Sequence, residues 1–176
     1  MKQDEVKQTA ISETVVINLY VLESSQFIKV FPKLLEGIVG KGNRIVIFCD
    51  HQKSVEALDR LLWTYQQLSF LPHATYQDDG IKEDSPIYIT TSHFDNQNRS
   101  NFFAFVSEVN IDGIHSGEIS FDIIKTHSTK YEKYLYFCDD SSVQSVLERL
   151  NATPEITPNT TIIEYKDDRW VRRAMD

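Results

Sequence analysis

The sequence predicts a single-domain α/β protein whose doubly wound, mostly parallel sheet carries helices on both faces. Apolar, β-branched runs typical of strands buried on both faces alternate with stretches of helical periodicity, in the order β, α, β, α from the start. Two segments, residues 44–62 and 134–150, repeat one strand–turn–helix plan. The length of 176 residues fits one compact domain. We place this domain at residues 14–176, behind a polar N-terminal tail of residues 1–13.

The first half of the chain is predicted to supply two strand–helix pairs. They are a strand over 14–22 (TVVINLYVL), a helix from near residue 31, a strand over 43–50 (NRIVIFCD) and a helix over 54–63 with Val55, Leu58, Leu61 and Leu62 inward. Apolar residues from Phe27 to Val39 recur at steps of three and four, and the GKG at 40–42 ends that helix. Because Pro32 interrupts the pattern, we expect an irregular turn before the helix rather than an unbroken helix from Ser24.

The second half is predicted to complete the sheet. Its strands are expected over 86–91, 102–109 and 159–165, and the repeated unit at 134–150 adds a strand followed by a helix. Residues 110–133 fit two patterns, since Phe121, Ile124 and Tyr131 could line a short helix while HSGEISFDII alternates like a strand. We favour the helix because a parallel sheet needs a crossover connection there.

The repeated plan places an aspartate after each of two strands. RIVIFCD and YLYFCD share Phe-Cys-Asp, so Asp50 and Asp139 stand where a strand ends and a helix begins. A carboxylate at that position is stabilised by exposed helix N–H groups, and helix capping is the favoured reading. The alternative is a ligand crevice at the carboxyl ends of the strands.

Composition and charge exclude several classes of protein. The formal net charge of -8 disfavours strong, direct binding to a phosphate backbone, and no apolar run approaches a membrane span or a signal peptide. We therefore expect a cytoplasmic protein. The clearest clusters of cations lie at 125–133 and 169–173, where Tyr131 or Trp170 could stack on single-stranded DNA. Two cysteines are too few for a disulfide scaffold, and their spacing to histidine fits no zinc site.

Signals for catalysis are weak. No GxGxxG or GxxxxGK[ST] motif occurs, so we expect no phosphate-binding loop and no cofactor. Cys49 and His51 could imitate a thiol and its base, with Asp50 and Asp139 nearby, and an α/β enzyme using these groups is one alternative function. A buried strand cysteine is the usual explanation of such a thiol. The acidic residues Asp78, Asp79, Glu83 and Asp84 indicate a solvated loop more than a carboxylate metal site.

The segment LLWTYQQLSFLPHATY, residues 61–76, is unusually aromatic for a connection. Its rings could close over the edge of the core, or they could face outward for a partner. Trp, Tyr and Arg dominate binding hot spots, and a proline reduces the entropy lost when a loop is ordered. The candidate partner-binding residues are Trp63, Tyr65, Phe70, Leu71, Pro72 and His73.

This segment resembles a known family. LD-x-x-LW followed by SFLPH, with GNRIVIF before it and DSPIYITT after it, is similar to the signature of the chi subunit of bacterial DNA polymerase III, an accessory protein of the clamp-loader complex. The resemblance implies an α/β domain without catalytic activity that docks on the psi subunit, with Phe70, Leu71 and Pro72 on the docking loop and Trp63 beside it. It also implies a link to the acidic C-terminal tail of single-stranded DNA-binding protein, so that DNA is contacted mainly indirectly.

The last helix departs from this family pattern. Family members usually carry a basic and aromatic run there that grips the acidic tail through charge and a ring. The helix SSVQSVLERLNATPE offers only Arg149. Arg169, Trp170, Arg172 and Arg173 also combine cations with a ring, and we expect that they could substitute.

Overall fold

The structure, a computed structural model, describes residues 12–66, 70–106, 110–111, 114–115, 117–126 and 131–174. Within these residues the elements follow in this order: β1 (Glu13–Val21), α1 (Ser24–Gly40), β2 (Ile45–Cys49), α2 (Gln52–Thr64), β3 (His73–Thr75), β4 (Ile87–Thr90), β5 (Phe102–Val106), β6 (Asn110–Ile111), β7 (Ile114–His115), α3 (Asp122–Thr126), β8 (Lys133–Cys138), α4 (Val143–Ala152), β9 (Ile156–Lys166) and β10 (Arg169–Arg172). A 3-10 turn, Asp140–Ser142, precedes α4.

Eight strands form one sheet in the order β10-β9-β1-β8-β5-β2-β4-β3. Neighbouring strands pair in parallel throughout, except that β10 turns back antiparallel on β9. β6 and β7 form a separate small hairpin. The predicted α/β class and the mostly parallel sheet are confirmed.

The sheet separates two hydrophobic cores because successive side chains of a strand point to opposite faces. On one face Ile45 and Ile47 of β2 pack with the buried residues of α1 and α2. On the other face Val46 and Phe48 belong to the cluster that holds Ile124 of α3 and the buried residues of α4. The prediction of helices on both faces is therefore confirmed. None of the helices in the described ranges combines the length and the apolar character that a bilayer crossing requires.

Helix α1 runs unbroken through Pro32, so the predicted irregular turn is wrong. A capping box fixes its start upstream, where the Glu23 backbone N–H donates to Gln26 Oε1 at 3.0 Å. Phe27, Phe31 and Leu35, on both sides of the proline, are fully buried, and Pro32 itself is buried. Burial of three such side chains stabilises by roughly 6 kcal/mol, which exceeds the roughly 3 kcal/mol that an internal proline costs.

In the segment 110–133 the favoured helix is confirmed as the short α3, whereas the alternative strand over HSGEISFDII, residues 115–124, is wrong, since residues 117–120 form no strand. A short hairpin, β6–β7, precedes the single helical turn of α3, and Phe121, Ile124 and Tyr131 are all buried. The end of the strand predicted over 102–109 and the N-terminal tail up to residue 11 lie outside the described residues. The strands β3 and β10 were not predicted.

Candidate partner-binding surfaces

The end of α2 and the loop after it present a pair of exposed rings. Leu58 and Leu62 of α2 are buried, which turns Trp63 outward on the last turn. Trp63 is 59% exposed and Phe70 is 65% exposed, and their ring centroids lie 5.4 Å apart. Pro72 is exposed as well. We call Trp63, Phe70 and Pro72 the ring platform.

Two buried residues fasten this platform to the fold. Leu71 and His73 are buried. His73 Nδ1 lies 2.7 Å from the Leu71 carbonyl oxygen and donates to it, while His73 Nε2 lies 3.2 Å from Asp59 Oδ1 on α2. The Trp63 ring stands edge-on to His73 at 5.2 Å. His73 therefore holds the loop, the helix end and the platform ring together, and Leu71 belongs to the core.

Tyr65 connects the two helices of this face. Its hydroxyl donates to Glu36 Oε2 of α1 at 3.1 Å. Partial burial raises the pKa of Tyr65, and the hydrogen bond to the Glu36 carboxylate raises it further. Of the six candidates, three thus form the exposed surface and three support it from below.

A single row of paired residues places this platform at the amino ends of the parallel strands. His73 of β3 pairs with Ile87, Ile87 with Ile45, Ile45 with Phe102, and Phe102 with Lys133 of β8. Many α/β proteins bind ligands at the opposite edge, outside the carboxyl ends of the strands.

Two of the cations proposed for acidic-tail binding already form ion pairs with carboxylates of this chain. Arg149 forms an ion pair with Glu118 at 2.9 Å, and its guanidinium lies 5.3 Å from the centre of the Phe121 ring. Arg173 pairs with the buried carboxylate of Glu164 and with Asp140. Hydrogen bonds from Lys166 and then Arg173 lower the pKa of Glu164. Both arginines therefore serve as partners of carboxylates within the chain.

The other three candidates lie on the outermost strand, β10. Arg169 and Arg172 are exposed, and neither forms an ion pair with a carboxylate of the described residues. Trp170 is half-buried, edge-on to Tyr20 and to Tyr165 with centroids 5.0 Å apart in each case. Arg169 and Trp170 also line a groove between α1 and β10. The five residues thus divide into Arg169, Trp170 and Arg172 on β10 and two arginines that form ion pairs within the chain.

The groups at the strand ends have structural partners. Asp139 accepts a hydrogen bond from the Ser142 backbone N–H at 3.0 Å, so the predicted cap is confirmed there. Asp50 does not cap α2, because His51 Nδ1 accepts from the Ser54 N–H at 3.2 Å instead. Asp50 Oδ2 accepts from the Gly117 N–H at 2.8 Å and ties that loop to the sheet.

Cys49 is buried in the core between β2 and its helices, and burial raises the pKa of its thiol. Since the thiolate is the reactive form, the geometry does not favour the nucleophile of the alternative enzyme reading.

The remaining charged candidates are dispersed. Lys125 pairs with Asp122 at 2.9 Å, and Tyr131 is buried rather than open for stacking. His127 and Lys130 lie outside the described residues. In the acidic loop Asp78 Oδ2 accepts from the Thr75 N–H at 2.7 Å. Within the described ranges no three His, Cys, Asp or Glu side chains are grouped to hold a metal ion.

Two lysines of the groove, both on α1, were not singled out by sequence reasoning, whereas Lys133 belongs to the cation cluster at 125–133. Lys33 and Lys41 of α1 line the groove together with Lys133 of β8. The spacing of Lys33, Gly37 and Lys41 at steps of four places all three on one helix face, and this signal could have found them.

Fold and surface together define an α/β protein that presents an exposed aromatic platform beside the amino ends of its parallel strands. A family model described as DNA polymerase III chi subunit, HolC, matches residues 16–144. The chain belongs to this family, and the family is an accessory subunit of DNA polymerase III in DNA replication. No curated protein matched the chain. The family match ends at the start of α4, so β9 and β10 lie beyond it.

Proposed function

We propose that this chi-family protein is a non-catalytic adaptor in the cytoplasm whose ring platform docks the psi subunit or another clamp-loader component, and which also binds the acidic tail of single-stranded DNA-binding protein. DNA is then reached mainly through that second partner. The observation that carries the proposal is the pair Trp63 and Phe70, two adjoining rings that are each more than half exposed.

The platform has the physical properties of a binding hot spot. Covering two aromatic rings removes a large apolar area from water, and contacts between rings add to that gain. The platform is also held in place before binding, because Pro72 restricts the loop and His73 is bonded to Leu71 and Asp59. Such preorganisation reduces the entropy lost on docking.

Replacing Phe70 by alanine tests this docking surface. We expect Phe70→Ala to weaken binding to purified psi subunit or clamp-loader complex by about 2 kcal/mol or more, measured by isothermal titration calorimetry. Because Phe70 is exposed, its free energy of unfolding in urea should stay close to that of the parent chain.

Phe94 offers a matched control, since it is 60% exposed on a different loop. Phe94→Ala should bind like the parent chain. Equal affinity for the parent chain, Phe70→Ala and Phe94→Ala would contradict the assignment of the platform. Failure of every clamp-loader component to bind the parent chain would contradict the adaptor function itself.

The outer edge of β10 supports the acidic-tail link. β10 is the last strand of the sheet and pairs only with β9 among the described strands, so an extended segment can add to its free edge. Exposed Arg169 and Arg172 provide cations along that edge, and Trp170 provides a ring. Arg149 and Arg173 are left out because their ion pairs stabilise the fold.

Charge reversal at Arg172 tests this link. A labelled acidic tail peptide should bind Arg172→Glu at least about fivefold more weakly than the parent chain, the loss of roughly 1 kcal/mol expected for one exposed ion pair. Fluorescence anisotropy measures the affinity, and Lys53→Glu on the exposed side of α2 is the control of equal charge. Unchanged peptide affinity for Arg172→Glu would contradict this edge as the tail site.

A further inference from the structure

The groove between α1 and β10 concentrates positive charge in an acidic protein. Its volume is about 630 Å³, and its charged lining consists of Lys33, Lys41, Lys133 and Arg169 against the single carboxylate of Asp168. The whole chain carries a formal charge of -8. Lys33, Lys41 and Arg169 form no ion pair with a carboxylate of the described residues. Their charge is therefore available to an anionic ligand.

The fold brings these cations together from distant parts of the chain. Lys133 and Arg169 come from the two separate cation clusters of the sequence, and Lys33 and Lys41 come from one face of α1. Gly37 lies between the two lysines of α1, and a Cβ placed on it would meet no atom within 4 Å. The wall of the groove is consequently open at its centre.

The rest of the lining is aromatic and amide-bearing. The half-buried Trp170 stands beside Tyr20 and Tyr165, and Phe102 lies under Lys133 Nζ at 5.4 Å. Asn18 and Asn43 also line the groove; Asn18 Nδ2 donates to the Tyr20 hydroxyl at 3.4 Å, and Asn43 Oδ1 accepts from Asn101 at 2.9 Å, which leaves the Asn43 Nδ2 group as a donor. Rings can stack on a planar base, amides can bond its polar edge, and cations can hold the phosphates.

We propose that this groove binds a short segment of single-stranded nucleic acid. The combination of rings, neutral amides and cations matches a nucleotide, whose base can stack and form hydrogen bonds at its polar edge while its phosphate is held by charge. The lysines hold phosphates as point charges, and the base of one nucleotide packs on Trp170. The volume accommodates only a few nucleotides.

Because the chain as a whole is acidic, nucleic-acid binding should be confined to this groove and should weaken as the salt concentration rises. Four cations can displace counterions from at most four phosphates, so the slope of log affinity against log salt should not be steeper than about -3 for a single strand. This hold on DNA is separate from the ring platform, but it shares Arg169 and Trp170 with the β10 edge, so an acidic tail and an oligonucleotide would compete for these two residues. It goes beyond the adaptor function and does not depend on it.

Fluorescence anisotropy with a labelled oligothymidylate of about 15 nucleotides tests the proposal on the full chain. We expect saturable binding at low salt that Gly37→Glu weakens at least about tenfold, because it places a carboxylate between Lys33 and Lys41. Gly37→Ala is the matched variant without charge and should bind normally. Lys33→Glu combined with Lys133→Glu should weaken binding similarly, while Lys53→Glu and Phe70→Ala should not.

Three results would overturn the proposal. They are equal oligothymidylate affinity for Gly37→Glu and Gly37→Ala, displacement of the oligonucleotide by thymidine monophosphate as effectively as by the unlabelled strand, and binding of an acidic peptide at this groove without any binding of the oligonucleotide. The last result would support the tail link instead. Because Phe70→Ala is expected to lose docking but to bind the oligonucleotide normally, adaptor docking and oligonucleotide binding are distinguishable.

Discussion

His51 and Asp139 perform the same task with different chemistry, at the start of α2 and at the start of the 3-10 turn before α4. The imidazole of His51 accepts the Ser54 N–H, and the carboxylate of Asp139 accepts the Ser142 N–H. Asp139 also accepts from the hydroxyls of Ser141 and Ser142, and the Ser141 bond is the main cause of its lowered pKa.

The capping by Asp139 predicts a dependence of stability on pH. Asp139→Ala should lower the free energy of unfolding by about 1 kcal/mol at pH 7. The folded pKa lies below the ordinary value of 3.8, so the stabilisation is present above pH 4 and is lost as pH falls through the folded pKa. Urea unfolding of both chains at pH 7 and near pH 3 should show the difference shrinking.

Asp139→Asn is the matched control, because an amide oxygen can still accept the Ser142 N–H. It should retain most of the stability at pH 7 without this titration. A difference between the parent chain and Asp139→Ala that is constant from pH 7 to 3 would contradict the assignment.

Sequence reasoning could identify the candidate residues but not how each is used. Trp63 and Leu71 are both apolar members of one segment, yet one is exposed and the other is buried. Arg172 and Arg173 are neighbours, and only Arg173 reaches Glu164 and Asp140. These outcomes depend on partners that lie far away along the chain, and residue type alone does not encode them.

Helix α1 illustrates how local rules are balanced at the scale of an element. Its periodic apolar face predicts the helix correctly, whereas the proline rule predicts a start that tertiary burial overrides. The strand β3 was not predicted because three residues carry too little periodicity, and β10 was not predicted because its arginines indicate a surface cation cluster more than a strand. Their pairing is decided by neighbouring strands of the sheet.

Two glycines at the end of α1 should respond oppositely to alanine. Gly37 lies inside the helix with open space around it, so Gly37→Ala should raise the free energy of unfolding by about 1 kcal/mol. Gly42 has a φ of 80°, which is strained for a side chain, so Gly42→Ala should lower it by about 1 kcal/mol. Urea denaturation measures both, and effects of the same sign would contradict this account of the helix end.

The whole molecule depends on a strand that lies beyond the family match. β9 pairs with all nine residues of β1, from Glu13 to Val21, and places Ile156 and Ile162 in a core. β1 would otherwise be the edge of the sheet. The sequence predicted the late strand but not its place, because sheet order depends on where each crossover leads.

Deleting residues 155–176 should therefore expose the edge of β1 and make the protein aggregate. Size-exclusion chromatography with light scattering measures the result. Deleting only 169–176 is the control, because β9 remains to cover β1 and the chain should stay monomeric with a lower stability. A cooperative, monomeric protein after the longer deletion would contradict this role of β9.

The row of paired residues from His73 to Lys133 has a consequence for multivalent ligands. Four strand spacings separate the two ends, a distance of about 19 Å. An extended linker of about six residues spans that distance. Consider a ligand whose apolar module binds the ring platform and whose tethered anionic module binds the groove at Lys133. Once one module is bound, the other is held near its surface at an effective concentration in the millimolar range. Avidity would therefore prolong the residence of the ligand well beyond that of either module alone.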